Sequence, residues 1–210
     1  DGAAPGQERP DLVVRGGTVV DGTGAPRFRA DVAVTGDRIT AVGDVAASGR
    51  EEIDVRGLVV APGFIDVHSH AELSLLVNPK AESRIRQGVT LEVVGQDGGS
   101  VGPWTEEEHR RQRERYRSRY GVDIDFRDLD GFFRALERTP PAVNVASMLG
   151  PGTVRGYVVG YEDRPAEADE IEQMRAEVRR ALGAGAVGLS SGLEYTPGVF
   201  APTSELSALA

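Results

Sequence analysis

The pattern of apolar and turn residues changes once along the chain, at Pro62. Before it, short runs rich in β-branched residues are separated by turn residues, which is typical of strands joined by turns. After it, strand-like runs alternate with helical patterns, which predicts parallel βα units. We therefore predict an α/β protein with a small β domain over residues 11–61 and βα units over residues 62–210. Residues 1–10, rich in Gly, Ala and Pro, are predicted to form a flexible lead-in.

The candidate strands are short branched runs. In the β domain they are Leu12–Val14, Thr18–Val20, Val32–Thr35, Arg38–Val42 and Leu58–Val60, with a hairpin turn at Gly36-Asp37. In the second region they are Phe64–His68, Thr90–Gly95, Ala142–Leu149 and Ala186–Ser190. The clearest helix spans about Pro165 to Leu182, where apolar residues recur at helical spacing: Ile171, Met174, Val178 and Ala181. The segment at about 105–138 is dense in Arg and Glu, which predicts a helical insertion with a self-neutralising surface.

The number of strand candidates limits the architecture. Four of them follow Pro62, whereas a closed barrel of eight βα units takes about 250 residues. Four parallel strands alone would leave an unpaired edge and an open core. The chain is therefore predicted not to be a complete fold.

Charge and composition exclude several classes of function. A net charge of −9 argues against a nucleic-acid-binding surface, because the phosphate backbone would be repelled. The longest apolar runs, such as Leu58–Pro62, are too short to span a bilayer, so no membrane is expected as a partner. The chain contains no Cys, so neither disulfides nor thiolate ligands are available. It starts at Asp1 without a Met, which favours a processed N-terminus and a secreted or periplasmic location over a cytoplasmic one, although a trimmed chain would look the same.

The strongest chemical signal is the segment Ala61–His70, which reads Ala-Pro-Gly-Phe-Ile-Asp-Val-His-Ser-His. Side chains alternate faces along a strand, so His68 and His70 are expected to point to one side. At the carboxyl end of a barrel strand, that side faces the mouth of the barrel, where active sites lie. Two imidazoles at this spacing can hold one divalent ion through their neutral ring nitrogens. An isolated His-x-His pair is a weak signal, but here it ends an apolar strand that Pro-Gly introduces.

This segment resembles the amidohydrolase superfamily, in which a small β domain precedes a barrel whose first strand ends in Gly-Phe-Ile-Asp-x-His-x-His. Three further motifs resemble its N-acyl-D-amino-acid deacylase (D-aminoacylase) branch: Gln87–Gly95, Gly185–Tyr195 and Pro197–Ala201. The resemblance implies that residues 62–210 are the first four βα units, the N-terminal half, of a TIM-like (β/α)8 barrel. It also implies a divalent metal cofactor, with zinc as the expected ion, and an N-acyl amino acid as the substrate.

The chain departs from the deacylase pattern at two positions. Members of the branch typically carry a metal-binding Cys after Val-Val-Gly, where this chain has Asp97. A carboxylate also ligates divalent metals and suits harder ions than a thiolate does, so Asp97 is the third metal candidate. The alternative is an Asx-type turn residue beside Gly98. The second departure is Pro151, where the family usually has a His; the nearby Arg155 is a candidate for shaping the substrate pocket.

Three residues after the fourth strand are candidates for contacting the substrate: Ser191, Glu194 and Tyr195. Loops at this face of a barrel carry function, although ordinary loop packing remains an alternative for Glu194 and Tyr195. A phosphate-binding loop at Gly95–Gly99 is disfavoured, because the glycine spacing of such loops is missing. A serine nucleophile is disfavoured because no Gly-x-Ser-x-Gly elbow exists. His109, in the charged insertion, is expected to be a solvated helix residue.

The resemblance implies metal-assisted hydrolysis of the amide bond of N-acyl amino acids, in which a proton-shuttling Asp and two further His ligands lie on later barrel strands. The chain has three His in total, the last being His109, so it cannot supply them. We therefore predict an enzyme that is complete only with a second polypeptide carrying the rest of the barrel, although a fragment of a longer chain would look the same. A cyclic-amide hydrolase of the dihydropyrimidinase or dihydroorotase type and a non-catalytic scaffold half remain alternatives. The preference for D or L substrates is left open.

Overall fold

The computed structural model describes residues 9–210. They belong to two compact units, one ending at Pro62 and the other running from Gly63 to Ala210. The predicted lead-in over residues 1–10 lies outside the described residues, except for its last two.

The first unit is a five-stranded sheet. Its strands are β1 (Leu12–Val19), β2 (Phe28–Thr35), β3 (Arg38–Gly43), β4 (Glu51–Asp54) and β5 (Val59–Val60). The strand order is β3-β2-β1-β4, and β5 also pairs with β1. β2 is antiparallel to both β1 and β3, whereas β4 and β5 run parallel to β1. The predicted turn at Gly36-Asp37 joins β2 to β3, and Gly36 adopts the positive φ (+59°) that such a turn favours.

β1 is one strand where the residue pattern predicted two. Its pairing with β2 changes register between Val14 and Gly17, where Arg15 and Gly16 lie opposite the single residue Asp31, so this stretch is a bulge instead of a break. β4 is a strand that was not predicted, because its residues are exposed and three of the four are acidic. Tertiary pairing holds it: it lies beside β1, where Arg15 binds Glu52 at 2.7 Å.

The second unit contains three parallel strands, β6 (Phe64–Asp66), β7 (Val89–Val94) and β8 (Asn144–Ser147), in the order β6-β7-β8. The fourth predicted strand, Ala186–Ser190, forms a single parallel bridge, between Leu149 and Leu189. Backbone hydrogen bonds still attach this segment beyond β8. Val187 N donates to Ser147 O at 2.9 Å, and Ser190 N donates to Leu149 O at 3.0 Å. The fourth strand position is therefore present as an irregular ladder.

Helices connect and cover these strands. They are α1 (Ser74–Val77), α2 (Glu82–Ile85), α3 (Glu106–Tyr120), α4 (Leu129–Arg138), α5 (Pro151–Val158), α6 (Ala168–Gly183) and α7 (Thr203–Leu209), with a 3-10 turn at Gly198–Phe200. The core of the unit joins strand and helix residues such as Val94, Phe132, Leu149 and Met174. Among the described residues, no helix combines the length and the apolar character that crossing a bilayer requires.

The segment predicted as one charged insertion contains two helices of different character. α3 has no buried residue and matches the predicted polar helix. α4 instead buries Leu129, Phe132, Ala135 and Leu136 in the core. These residues recur at helical spacing, and tertiary packing rather than the charge of the segment decides where the helix lies.

α6 is the helix predicted at about Pro165 to Leu182, and it begins at Ala168. The later start comes from a capping box, in which the Glu170 side chain accepts a hydrogen bond from Glu167 N at 2.7 Å. Met174, Val178 and Ala181 of the predicted stripe are buried.

Candidate metal centre

Two of the three His lie just beyond the end of β6. The strand ends at Asp66, earlier than predicted, so His68 and His70 stand in the loop that follows it. Their rings still lie together, with centroids 5.3 Å apart and an interplanar angle of 71°. Both Nε2 atoms approach the same oxygen, Asp97 Oδ2, at 3.3 Å from His68 and 3.2 Å from His70.

Asp97 reaches this position from the loop after β7. Its backbone has a φ of +55°, in the left-handed region that Asp tolerates better than most residues. An Asx turn at Asp97 would use the N–H of Gly99, which instead donates to Gln96 O at 3.0 Å. The close approach of another loop shapes the same stretch, because a Cβ at Gly192 would lie 2.1 Å from the Asp97 carbonyl oxygen.

Neighbouring side chains hold the loop that carries Asp97. Gln96 Nε2 donates to Val67 O at 2.9 Å and to Val93 O at 3.0 Å, which ties the loop after β6 to the end of β7. Glu72 Oε1 accepts a hydrogen bond from Gly95 N at 2.8 Å. The loops that carry the His pair and Asp97 are therefore joined directly to each other.

The three side chains form a donor set suited to a divalent cation. The ligand atoms of His68, His70 and Asp97 all lie within 4.8 Å of one another. Two ligands that bind one zinc ion at about 2.0–2.1 Å, with a tetrahedral angle between them, are about 3.3 Å apart. The 3.3 and 3.2 Å separations between the imidazole nitrogens and Asp97 Oδ2 fit that value. More than half of each imidazole side chain is exposed, 57% for His68 and 58% for His70, which leaves room for further ligands.

An open cavity of about 370 Å³ adjoins the donor set. His70 and Asp97 form part of its wall, together with Thr153, Tyr161 and Tyr195. Tyr195 is thus a predicted substrate residue that lines the cavity. Ser191 and Glu194, from the same loop, are exposed and lie outside the lining.

Ser190 contacts the Asp97 loop, a role that the sequence reasoning did not assign to it. Its Oγ donates to Gly95 O at 2.5 Å and accepts from Gly98 N at 3.3 Å. A polar residue at the end of a predicted strand was the available signal. Glu92, a buried carboxylate inside the apolar strand β7, was missed in the same way.

Arg155 does not take the predicted place in the pocket. It is 1% exposed, and its guanidinium donates to Glu205 at 2.8 Å and 2.6 Å. A charge this deeply buried needs a partner, and Glu205 provides one from α7, 50 residues along the chain. The expectation that Arg155 shapes the substrate pocket is therefore corrected: it is a core residue that joins α5 to α7.

His109 also differs from its expected solvated state. It is half-buried on α3, and its Nε2 lies 2.9 Å from Ile124 O, to which it donates. His109 is thus engaged with the backbone, away from the donor set formed by His68, His70 and Asp97.

Comparison with known proteins identifies the family of this chain. Residues 51–209 match the amidohydrolase family. The chain belongs to this family. An N-acyl-D-glutamate deacylase of Alcaligenes xylosoxydans xylosoxydans is 40% identical to this amidohydrolase chain over 205 residues, which are 97% of the chain and 41% of the relative.

Two solved structures resemble the amidohydrolase chain closely. One is an N-acyl-D-glutamate deacylase from Bordetella bronchiseptica, complexed with zinc and a phosphonate inhibitor that mimics the tetrahedral intermediate of the reaction. It has a TM-score of 0.85 and 37% identity, with 97% of this chain and 42% of that chain covered. The other is a D-aminoacylase with a binuclear metal centre, with a TM-score of 0.80 and 39% identity, and 95% and 42% covered.

These matches confirm the predicted α/β fold class and the resemblance to the N-terminal part of the deacylases. The amidohydrolase chain spans about two fifths of the length of its curated relative, 41%. Both solved relatives hold metal, which supports a divalent metal in this family.

Proposed function

We propose that this amidohydrolase chain belongs to an enzyme that hydrolyses the amide bond of N-acyl amino acids, and that His68, His70 and Asp97 bind its divalent metal ion. One observation carries the proposal: His68 Nε2 and His70 Nε2 converge on Asp97 Oδ2, at 3.3 and 3.2 Å. The relatives named as N-acyl-D-glutamate deacylases support the substrate class and favour a D configuration.

The donor set determines which ion fits. A bound divalent ion supplies Lewis-acid polarisation of the amide carbonyl and lowers the pKa of water at the site. The chain presents two imidazole nitrogens and the carboxylate of Asp97, whose oxygen atoms can offset part of the charge of a cation. These are usual zinc ligands, so zinc is the ion we propose. The carboxylate also widens the range towards harder divalent ions, compared with the thiolate expected from the resemblance.

Substrate contacts are proposed for the loop that follows the fourth strand position. Tyr195 lines the cavity beside His70 and Asp97 and is 58% exposed, so its phenol can donate a hydrogen bond to a carboxylate or carbonyl group of the substrate. Ser191 and Glu194 are exposed on the same loop and are proposed to contact the substrate at the edge of the cavity. Arg155 has no part in this proposal, because Glu205 holds it in the core.

We also propose that the proton-transferring carboxylate and the remaining metal ligands come from polypeptide outside this chain. The form of the proposal that we favour is a second chain. The chain corresponds to 41% of its relative, and its third His is bonded to Ile124 O. Intact-mass analysis of the native protein tests the two-chain form. A second polypeptide is expected beside the one that contains this sequence; a single polypeptide that contains both this sequence and the remaining ligands would overturn it.

Hydrolysis of paired N-acetyl-D- and N-acetyl-L-amino acids tests the proposed reaction. It is measured with the full-length protein, meaning this chain together with the polypeptide that supplies the rest of the barrel. We expect release of the free amino acid, faster for the D isomer, with loss of turnover after chelation and recovery when zinc is returned. Hydrolysis of hydantoin or dihydrouracil in place of the linear amides would instead establish a cyclic-amide hydrolase. No turnover and no bound metal would establish a scaffold.

Two His variants connect this activity to the site. His68→Ala is expected to lower kcat/KM by about 100-fold or more and to reduce the bound metal, because one ligand is missing. His109→Ala is the matched control, because it removes an imidazole that lies outside the donor set. Equal losses in the two variants would contradict the assignment of His68.

A further inference from the structure

Glu92 is a carboxylate with no exposed surface in the middle of β7. Burying a carboxylate among apolar residues is costly unless other groups compensate for it. Two groups approach Glu92: Ser69 Oγ donates to Oε2 at 2.7 Å, and Arg84 Nε lies 3.0 Å from Oε1. The Arg84 contact is an ion pair without hydrogen-bond geometry, so among the described residues Oε1 has no hydrogen-bond donor. Among the described residues, the Ser69 hydroxyl therefore donates the hydrogen bond that this carboxylate accepts, at Oε2.

Ser69 is the residue between the two His of the candidate metal centre. It is 2% exposed, unlike the half-exposed imidazoles on either side of it. Its backbone N donates to Val93 O at 3.0 Å, and its Oγ accepts from Ala71 N at 3.2 Å. These bonds fix the segment on both sides of the hydroxyl and hold it against the end of β7.

Arg84 extends the same network to the first His. Its guanidinium contacts Asp66 Oδ2 at 3.2 Å, and the other oxygen of Asp66 accepts from His68 N at 3.2 Å. The backbone of His68 is thus connected to Glu92 by a second route, through Asp66 and Arg84. A buried carboxylate and an arginine are therefore both in contact with the segment that carries the two exposed imidazoles.

We propose that Glu92 and Ser69 are positioning residues of the metal centre: their hydrogen bond holds the His68–His70 segment so that both Nε2 atoms face Asp97. This inference rests on the proposed metal-binding role of His68, His70 and Asp97. Metal–ligand distances tolerate only about 0.2 Å of variation, so a small movement of this segment reduces affinity. Outer groups that orient ligands typically contribute about 10- to 100-fold in metal affinity.

The experiment measures metal binding by the full-length protein, with zinc affinity from chelator competition and ligand geometry from the visible spectrum of bound Co²⁺. Ser69→Ala is expected to weaken zinc binding by about 10- to 100-fold and to change the Co²⁺ spectrum. Glu92→Ala should weaken it as well, and the double variant by less than the sum of the two losses, because both single variants remove the Ser69–Glu92 hydrogen bond. Glu92→Gln should retain most of the affinity, because its amide oxygen can still accept the Ser69 hydrogen bond.

Two matched controls separate positioning from packing. Ser147→Ala removes a buried hydroxyl at the end of β8, where Ser147 Oγ bonds to Met148 O. Glu205→Gln neutralises a second buried carboxylate that is paired with an arginine. Both are expected to lower the thermal midpoint without changing the zinc affinity or the Co²⁺ spectrum of the folded protein.

The outcomes distinguish this inference from the proposed function. If the unaltered protein binds neither zinc nor Co²⁺, both proposals fall. If it binds them and Ser69→Ala keeps the affinity and spectrum of the unaltered protein, only the positioning role is overturned. Equal losses of affinity in Ser69→Ala and Ser147→Ala would overturn it as well, because they would report general packing. Should Glu92→Ala fail to fold, Ser69→Ala and Glu92→Gln decide the question.

Discussion

Asp97 combines a strained backbone conformation with a side chain that points at the two imidazoles. Its φ of +55° is unusual for a residue with a Cβ, and its Oδ2 lies beside two imidazole nitrogens. Such conformations persist where the surrounding structure determines them, and they concentrate at functional sites. Here the surroundings are Gln96, which bonds to two carbonyl groups, and Gly192, which permits the approach of a second loop. Contacts of the loop that carries Asp97 therefore set the position of its carboxylate.

Replacing Asp97 with Cys is expected to move the metal preference towards softer ions, because a thiolate binds them better than a carboxylate does. The ratio of Cd²⁺ to Mn²⁺ affinity of the full-length protein should rise by about tenfold or more, which corresponds to about 1.4 kcal/mol of differential binding. Asp97→Asn is the control, since it removes the charge without adding sulfur and should weaken both ions. An unchanged ratio in the Cys variant would mean that Asp97 is not a ligand.

Gly192→Ala tests the contact that shapes the Asp97 loop. The new Cβ would lie 2.1 Å from the Asp97 carbonyl oxygen, so one of the two loops must move. We expect a destabilisation of about 1–3 kcal/mol and a loss of about tenfold or more in zinc affinity. Gly183→Ala is the matched control, because nothing lies within 4 Å of its Cβ position at the end of α6. A Gly192→Ala variant with unaltered metal binding would show that the loop contact is not required.

At the scale of elements, the start of α6 depends on one charged cluster. Arg164, just before the helix, donates to the two Glu170 oxygens at 2.7 Å each, and Glu167 N donates to the same carboxylate at 2.7 Å. The Arg164 guanidinium, followed by the backbone hydrogen bond, lowers the pKa of Glu170 from 4.5 to about 2. The helix boundary and the ionisation of this carboxylate are therefore linked.

The lowered pKa of Glu170 makes the stability of this element depend on pH. A carboxylate whose folded pKa lies below its unfolded pKa stabilises the fold above the unfolded value, and this contribution is lost as pH falls towards the folded value. Glu170→Gln should therefore lower the urea midpoint of the full-length protein at about pH 6, and the difference should shrink as pH falls from about 4.5 towards about 2. Glu172→Gln, which breaks an exposed pair with Arg175, should have little effect at either pH. An equal effect of Glu170→Gln at both ends of this range would contradict the linkage.

At the scale of the whole molecule, the second unit has a buried core and exposed apolar strand edges. Phe64, Ile65 and Val67, on and just after β6, are 63%, 57% and 68% exposed. Val187, in the ladder at the other edge of the sheet, is 61% exposed. A finished sheet rarely leaves such edges open. Polypeptide outside this chain, proposed above to complete the site, would pack against the same edges.

A charge at Val67 tests whether these edges are covered in the full-length protein. Val67→Lys is expected to destabilise the protein by about 3 kcal/mol or more, because the charge would be buried without a partner. Ile39→Lys on β3 is the matched control, since Ile39 is also 68% exposed; it should cost about 1 kcal/mol or less. Urea unfolding measures both, and an equally small cost at the two positions would mean that the β6 edge stays open.

The sequence by itself determined the features that depend on neighbouring residues. Alternating strand and helix patterns predicted the α/β class, and a turn dipeptide between two strand runs predicted the hairpin at Gly36-Asp37. The helical spacing of apolar residues predicted the stripe of α6, because local periodicity reflects which face of an element is buried. The motif ending in His68 and His70 located two of the three residues of the donor set. Matching the Cys position of the deacylases nominated Asp97, but local sequence left open whether it was a ligand or a turn residue.

Only the tertiary structure decided how distant residues meet. It brought Asp97 Oδ2 to the two imidazoles, placed Ser190 against a carbonyl group 95 residues earlier in the chain, and paired Arg155 with Glu205 in the core. It also packed α4, which lies in a charged segment, into the core. It buried Glu92, whose carboxylate accepts a hydrogen bond from Ser69. These outcomes could not be predicted locally, because the energy of a buried charge or of a close glycine contact depends on a partner far away in the sequence.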